Sequence, residues 1–179
     1  MGIIANSLHF SGPHGYHGDE RHIIKAGEKA PSSTINNEAS KWCKLIFENG
    51  DREARKLVKA HYSNPEEALK DLEKIKALKI CGKDLEAIPE GLSLLKNLTI
   101  LDLCSNKLKT FPEGEEIKKL TKLRSLILNG NPIESLPDYV INQEMNNLRS
   151  ISLYRTKIKE IPYSCKNIIA SYPATVTFT

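Results

Sequence analysis

The stretch "LTILDLCSNKLKTFP", residues 98–112, alternates leucine with polar residues, holds an asparagine at 106 and ends on a phenylalanine and a proline. Its skeleton recurs as "IKALKICGKDLEAIP" at 75–89, "LRSLILNGNPIESLP" at 123–137 and "LRSISLYRTKIKEIP" at 148–162. The frame starts, Ile75, Leu98, Leu123 and Leu148, lie 23, 25 and 25 residues apart. Each copy places apolar side chains at offsets 0, 3, 5, 10 and 13 and then a proline, and all twenty apolar slots are filled. Self-similarity held in register over four copies marks a repeat architecture, in which each unit is too small to bury its own apolar face.

Alternation across Leu101, Asp102 and Leu103 sends two side chains to one side of a short strand and the third to the other. A strand of three residues is unstable alone. Stacked on neighbours at ~4.8 Å, its inward residues join a continuous core. The proline that closes each frame ends strand pairing and turns the chain away from the sheet.

The frame resembles the leucine-rich-repeat family, whose pattern L-x-x-L-x-L-x-x-N-x-L-x-x-L-P is written here at 98–112 and 123–137. The resemblance covers residues 75–179. It implies an α/β solenoid with a curved, short parallel sheet on its concave face, acting as a protein-binding scaffold. It also implies that Asn106 and Asn131 satisfy backbone groups at the bend; Lys83 and Thr156 stand in that slot in the outer repeats. Lys83 puts the regularity of the first turn in question, whereas Thr156 keeps a hydroxyl. A further 25 residues beyond Leu148 reaches Pro173, so a fifth strand is expected in "YPATVTFT", with Val176 and Phe178 inward and Thr175, Thr177 and Thr179 on the open face.

Three domains follow: a flexible or extended lead at 1–35, a helical N-terminal cap at 36–74, and the repeats at 75–179 with four repeats plus a fifth strand. In the cap, "NNEASKWCKLIFENG" offers an asparagine cap, an apolar stripe of Trp42, Leu45 and Ile46, and Gly50 as terminator. "DREARKLVKAHY" starts on Asp51 and puts Ala54, Leu57, Val58 and His61 on one face. "NPEEALKDLEKI" has Asn64 as cap, Pro65 at the first helical position, and two glutamates near the positive end of the helix dipole. These stripes need a partner, and the first repeat is the available one. The lead carries His9, His14, His17 and His22 among glycines, which reads as a metal-binding cluster or as a glycine-rich lead. Its start "MGIIANS" departs from a myristoylation signal at Asn6.

Composition bounds the function. At 40% apolar and 27% charged the chain reads as soluble and globular, with no apolar run of membrane-spanning length and no secretory signal. Cys43, Cys81, Cys104 and Cys165 lack zinc-finger spacing and are expected to be free thiols. The net charge of +4 comes from residues 75–179, with fifteen basic against eleven acidic groups. Basic "KLK" at 107–109 and "KIK" at 157–159 alternate with acidic neighbours in the other repeats, so no nucleic-acid stripe forms. There is no phosphate-cradling glycine loop, serine elbow or H-E-x-x-H, so an enzyme is not expected.

The remaining candidate is the open face. Its first column holds Ala77, Ile100, Ser125 and Ser150; its second Lys79, Asp102, Ile127 and Ser152; its third Cys81, Cys104, Asn129 and Tyr154; and its fourth Gly82, Ser105, Gly130 and Arg155. Apolar Ile100 and Ile127 beside Tyr154 and Arg155 have the character of a protein-recognition patch. The partner-binding set is Lys79, Ile100, Asp102, Ile127, Asn129, Ser152, Tyr154 and Arg155. Cys81 and Cys104 face each other at strand spacing, and the register assigns them no histidine or carboxylate; they read as small concave residues or as a thiol pair for oxidation or metal. The expectation is a monomer with no cofactor, no catalytic residue and no assigned metal, binding a protein and neither nucleic acid nor membrane. The alternative is an enzyme or metal-binding protein using the histidine-rich lead or the concave cysteines. Abundant Lys, Ile and Asn suggest an AT-rich genome, and the chain is similar to leucine-rich-repeat effectors secreted by intracellular bacterial pathogens such as Legionella. That similarity implies a cytoplasmic location, or secretion through a bacterial translocation system into a host cytosol.

Overall fold

The computed structural model describes residues 33–59 and 63–179. Helices α1 (Ser33–Asn49), α2 (Arg52–Leu57) and α3 (Pro65–Lys74) come first. The strands β1 (Ala77–Lys79), β2 (Ile100–Asp102), β3 (Ser125–Ile127) and β4 (Ser150–Ser152) then alternate with short outer segments: a 3-10 turn at Leu92–Leu94, α4 (Gly114–Lys118) and α5 (Asp138–Ile141). After β4 come β5 (Glu160–Ile161), a second 3-10 turn at Tyr163–Cys165, β6 (Ile169–Ser171) and β7 (Thr177–Phe178). The main sheet is parallel, in the order β1-β2-β3-β4-β6. This is the leucine-rich-repeat solenoid.

Pairing follows the frame without slippage through four repeats, with Leu78 beside Leu101, Leu101 beside Leu126 and Leu126 beside Ile151. Of the twenty frame slots, only Leu85 and Ile88 of the first repeat are partly buried; the rest form one core with the buried faces of the helices. Each strand is fed by the same tight turn, in which the frame-start N–H reaches a carbonyl three residues back: Leu98 to Leu95, Leu123 to Leu120, Leu148 to Met145.

That turn explains where the fifth strand departs from expectation. The frame start must donate an N–H, and Pro173 has none. Ile168 donates to Cys165 instead, twenty residues after Leu148, and β6 joins β4 over Ile169–Ser171 with a bulge between Ile151 and Ser152. The tail then doubles back so that β7 pairs with β5, Glu160 opposite Thr177 and Ile161 opposite Phe178. Thr175, Thr177 and Thr179 therefore leave the open face. Phe178 packs edge-on against Tyr172, ring centroids 5.1 Å apart.

The helices cover the other edge of the sheet. Gly50 ends α1 where an added Cβ would lie 2.6 Å from the Ile46 carbonyl oxygen. Ala39, Trp42, Cys43 and Ile46 are buried, and the Trp42 indole donates to the Glu90 carbonyl (2.9 Å) across to the first repeat. Leu45, expected in the stripe, is partly buried, and the one-and-a-half-turn α2 buries Ala54 while leaving Leu57 exposed. Asp51 does two things at once. Its Oδ1 accepts the Glu53 and Ala54 N–H groups and so starts α2, while its Oδ2 accepts the Lys79 N–H (3.1 Å) and its own N–H donates to the Lys79 carbonyl (3.0 Å). The outer edge of β1 is thereby partnered at Lys79. Helix α1 begins at Ser33, inside the segment expected as lead; His9, His14, His17, His22 and His61 lie outside the described residues.

Candidate functional site

The open face is built by the register itself. Ala77, Ile100, Ser125 and Ser150 lie side by side, as do Lys79, Asp102, Ile127 and Ser152. The second column ends on Ser171 of β6 in place of Thr177. At the rim the chain turns through left-handed backbone at one offset in all four repeats: Gly82 (φ 63), Ser105 (φ 54), Gly130 (φ 66) and Arg155 (φ 56). Glycine adopts this conformation freely, whereas serine and arginine are strained there by ~1–2 kcal/mol.

Behind that rim, the asparagine slot ties repeats together. Asn106 donates to the Ile80 (2.8 Å) and Leu103 (3.0 Å) carbonyls, and its Oδ1 accepts the Lys83 (2.9 Å) and Leu85 (3.2 Å) N–H groups. The first turn is thus held from the second repeat, which is why Lys83 in its own asparagine slot does not disorder it. Asn131 repeats the pattern with the Leu103 and Leu128 carbonyls and the Leu108 N–H. Thr156 donates only within its own turn, to the Leu153 carbonyl (2.8 Å).

The expected binding residues fall into three zones of this face. At the β1 and β2 end, Lys79 Nζ stands 3.8 Å from Asp102 Oδ2, and Asp102 Oδ1 accepts both the Cys81 thiol and the Cys104 N–H at 3.1 Å. In the middle, Ile100 is 42% exposed and Ile127 is half-buried. At the β4 end, Asn129 Oδ1 accepts the Ser152 hydroxyl (2.8 Å) and the Tyr154 N–H (2.7 Å), and Ser152 also meets the Ser171 hydroxyl. Tyr154 is 48% exposed, with the Arg155 guanidinium 5.3 Å from its ring centroid. Asn129 and Ser152 are fixed within the sheet; Tyr154, Arg155 and Ile100 are presented.

The carboxylate beside the cysteines is the feature that column reading missed. Assigning each side chain to its own column keeps Asp102 apart from Cys81 and Cys104, but strand side chains lean along the strand direction. The lean carries Oδ1 into the next column. Burial first, and then the neighbouring Cys104 and Asp102, push the Cys81 thiol well above the ordinary thiol range. Held as a neutral S–H donor, it is a poor nucleophile at neutral pH.

Comparison with known proteins agrees with the geometry. Residues 73–133 match a family model described as Leucine rich repeat. The fold is similar to that of internalin C2 from Listeria monocytogenes, with 21% identity and a TM-score of 0.51, over 83% of this chain and 57% of that one. The chain thus spans little more than half the length of that internalin. A leucine-rich-repeat protein of Leptospira interrogans aligns at 25% identity and a TM-score of 0.49, over 64% of this chain and 29% of that one. The ectodomain of the receptor kinase SOBIR1 from Arabidopsis thaliana aligns at 19% identity and 0.47, over 62% and 63%. No curated protein sequence matches the chain. Leucine-rich-repeat proteins generally mediate protein–protein interaction, and the fold is typically a binding scaffold. Among the described residues no helix is long and apolar enough to cross a membrane.

Proposed function

We propose that the chain is a non-catalytic, monomeric recognition module that binds a protein partner through the open face of its sheet. Ile100, Ile127, Tyr154 and Arg155 form the centre of the contact, and Lys79, Asp102, Asn129 and Ser152 give it polar definition. The observation that carries the reading is the exposure of Ile100 and Tyr154 on one rigid face, the tyrosine stacked by an arginine. Large apolar and aromatic side chains left to solvent gain most from burial against a partner. The setting we propose, by analogy with leucine-rich-repeat effectors of intracellular bacteria, is that of a bacterial effector acting on a host protein; the Lys-, Ile- and Asn-rich composition speaks only to an AT-rich genome.

The test is affinity capture from host-cell lysate with the natural chain and with the Ile127→Ala/Tyr154→Ala double variant. A specific protein should be retained by the first and depleted at least about 30-fold with the second, matching ~2 kcal/mol for a hot-spot pair. Equal capture by both removes the open face as the binding surface. Translocation of a reporter fusion into host cells by the source bacterium tests the effector setting separately.

A further inference from the structure

The cluster at the β1 and β2 end of the sheet holds two thiols, Cys81 and Cys104, that the proposed partner contact does not use, beside the Asp102 carboxylate that it does. We propose that Cys81, Cys104 and Asp102 form an open, three-ligand site for a thiophilic divalent cation of the zinc class, with its fourth position facing the concave side. One candidate ligand atom from each residue lies within 4.8 Å of the other two, and Cys81 Sγ is 3.1 Å from Asp102 Oδ1. Around a tetrahedral zinc, with bonds of ~2.3 Å to sulfur and ~2.0 Å to oxygen, ligand atoms stand roughly 3.5–3.8 Å apart. Adjustments of about 1 Å in the ligand atoms bring the three into that arrangement.

Three further features fit. Asp102 ends β2, and the two cysteines follow β1 and β2 by two residues on segments still tied together by the Ile80 N–H to the Asp102 carbonyl (2.8 Å) and the Gly82 N–H to the Cys104 carbonyl (3.0 Å), so the site is preorganised by the backbone. Both cysteines are free and half-buried, which leaves one side of the cluster open to water or to a partner's donor group. Charge also balances. Metal entry releases two thiol protons to solvent, leaving two thiolates and a carboxylate; a divalent ion reduces that to a single negative charge, and Lys79 at 3.8 Å from the outer Asp102 oxygen offsets it. Two sulfur donors select zinc, cadmium or cobalt over magnesium and calcium, which prefer all-oxygen sites. Cys43 and Cys165 do not compete, since both are buried and aim their thiols at the carbonyls of Ala68 and Val140.

Cobalt(II) titration of the full, reduced chain reads the site directly, because thiolate coordination to cobalt gives a charge-transfer absorption that histidine or carboxylate coordination does not. One equivalent should produce that band together with the intense visible bands of tetrahedral cobalt, and zinc should abolish both. Cys81→Ser and Cys104→Ser should each weaken binding at least about tenfold and Asp102→Asn by a comparable factor, the loss typical of even an outer-shell metal partner. Unchanged circular dichroism would show each variant folded, serine being able to replace the thiol as donor to Asp102. Absence of the charge-transfer band, its survival in the Cys81→Ser/Cys104→Ser double variant, or full affinity in Asp102→Asn overturns the proposal. Binding by the histidines of the lead gives cobalt uptake without the thiolate band and counts among the overturning results.

Discussion

The turns of the second and fourth repeats share the same left-handed rim residue, Ser105 at φ 54 and Arg155 at φ 56, and part company in how the next side chain, Asn106 or Thr156, is used. Asn106 bonds to its own turn and to three backbone groups of the repeat before it, whereas Thr156 serves only its own. Both side chains are buried, at 5% and 9% exposure, so burial does not separate them; reach does. An asparagine amide carries a donor and an acceptor far enough from its Cα to cross to the neighbouring coil. A threonine hydroxyl stops short. In a solenoid, where stability is a sum of unit and nearest-neighbour terms, the first residue contributes to both and the second to the unit alone.

Among single substitutions in the turns, removal of the Asn106 amide should destabilise the chain most. Asn106→Ala strands the Ile80 carbonyl and the Lys83 and Leu85 N–H groups, and urea unfolding should show a loss of about 3 kcal/mol. Gly130→Ala comes next. It forces a side chain into left-handed backbone and sets its Cβ 3.4 Å from Ser105 Oγ, so a loss of about 1–2 kcal/mol is expected by the same measurement. Thr156→Ala removes one local hydrogen bond and should cost about 1 kcal/mol, clearly less than Asn106→Ala. An equal or larger loss at Thr156 would erase the distinction between coupling and local roles. The smallest change has the opposite sign: Arg155→Gly relieves a strained φ and should raise stability by about 0.5–1 kcal/mol in thermal unfolding while weakening partner capture. A variant that gains stability and loses binding would identify Arg155 as a residue kept for contact.

Much of this architecture is legible in the sequence because the apolar frame is rigidly periodic and each inward slot answers to one requirement, fit to a shared core. Register from Ala77 to Ser152 follows from the repeat frame and the helix caps at Asp51 and Asn64 from local rules, whereas the buried asparagines are implied by the family resemblance. Extrapolating the period past Leu148 fails at Pro173, where counting residues ignores the N–H that the turn consumes. Leu57 escapes the helical stripe because α2 ends before its periodicity can be enforced. On the open face the columns are readable but the contacts between columns are not. The tilt that brings Asp102 to Cys81 is a property of side-chain direction, and spacing does not encode it.

One carboxylate, Asp51, both nucleates α2 and occupies the backbone of Lys79. Fraying of that short helix and unmasking of the sheet's first ribbon are therefore the same event. An exposed strand edge is a template for pairing with another chain, and at Lys79 it is this one residue that keeps that edge occupied.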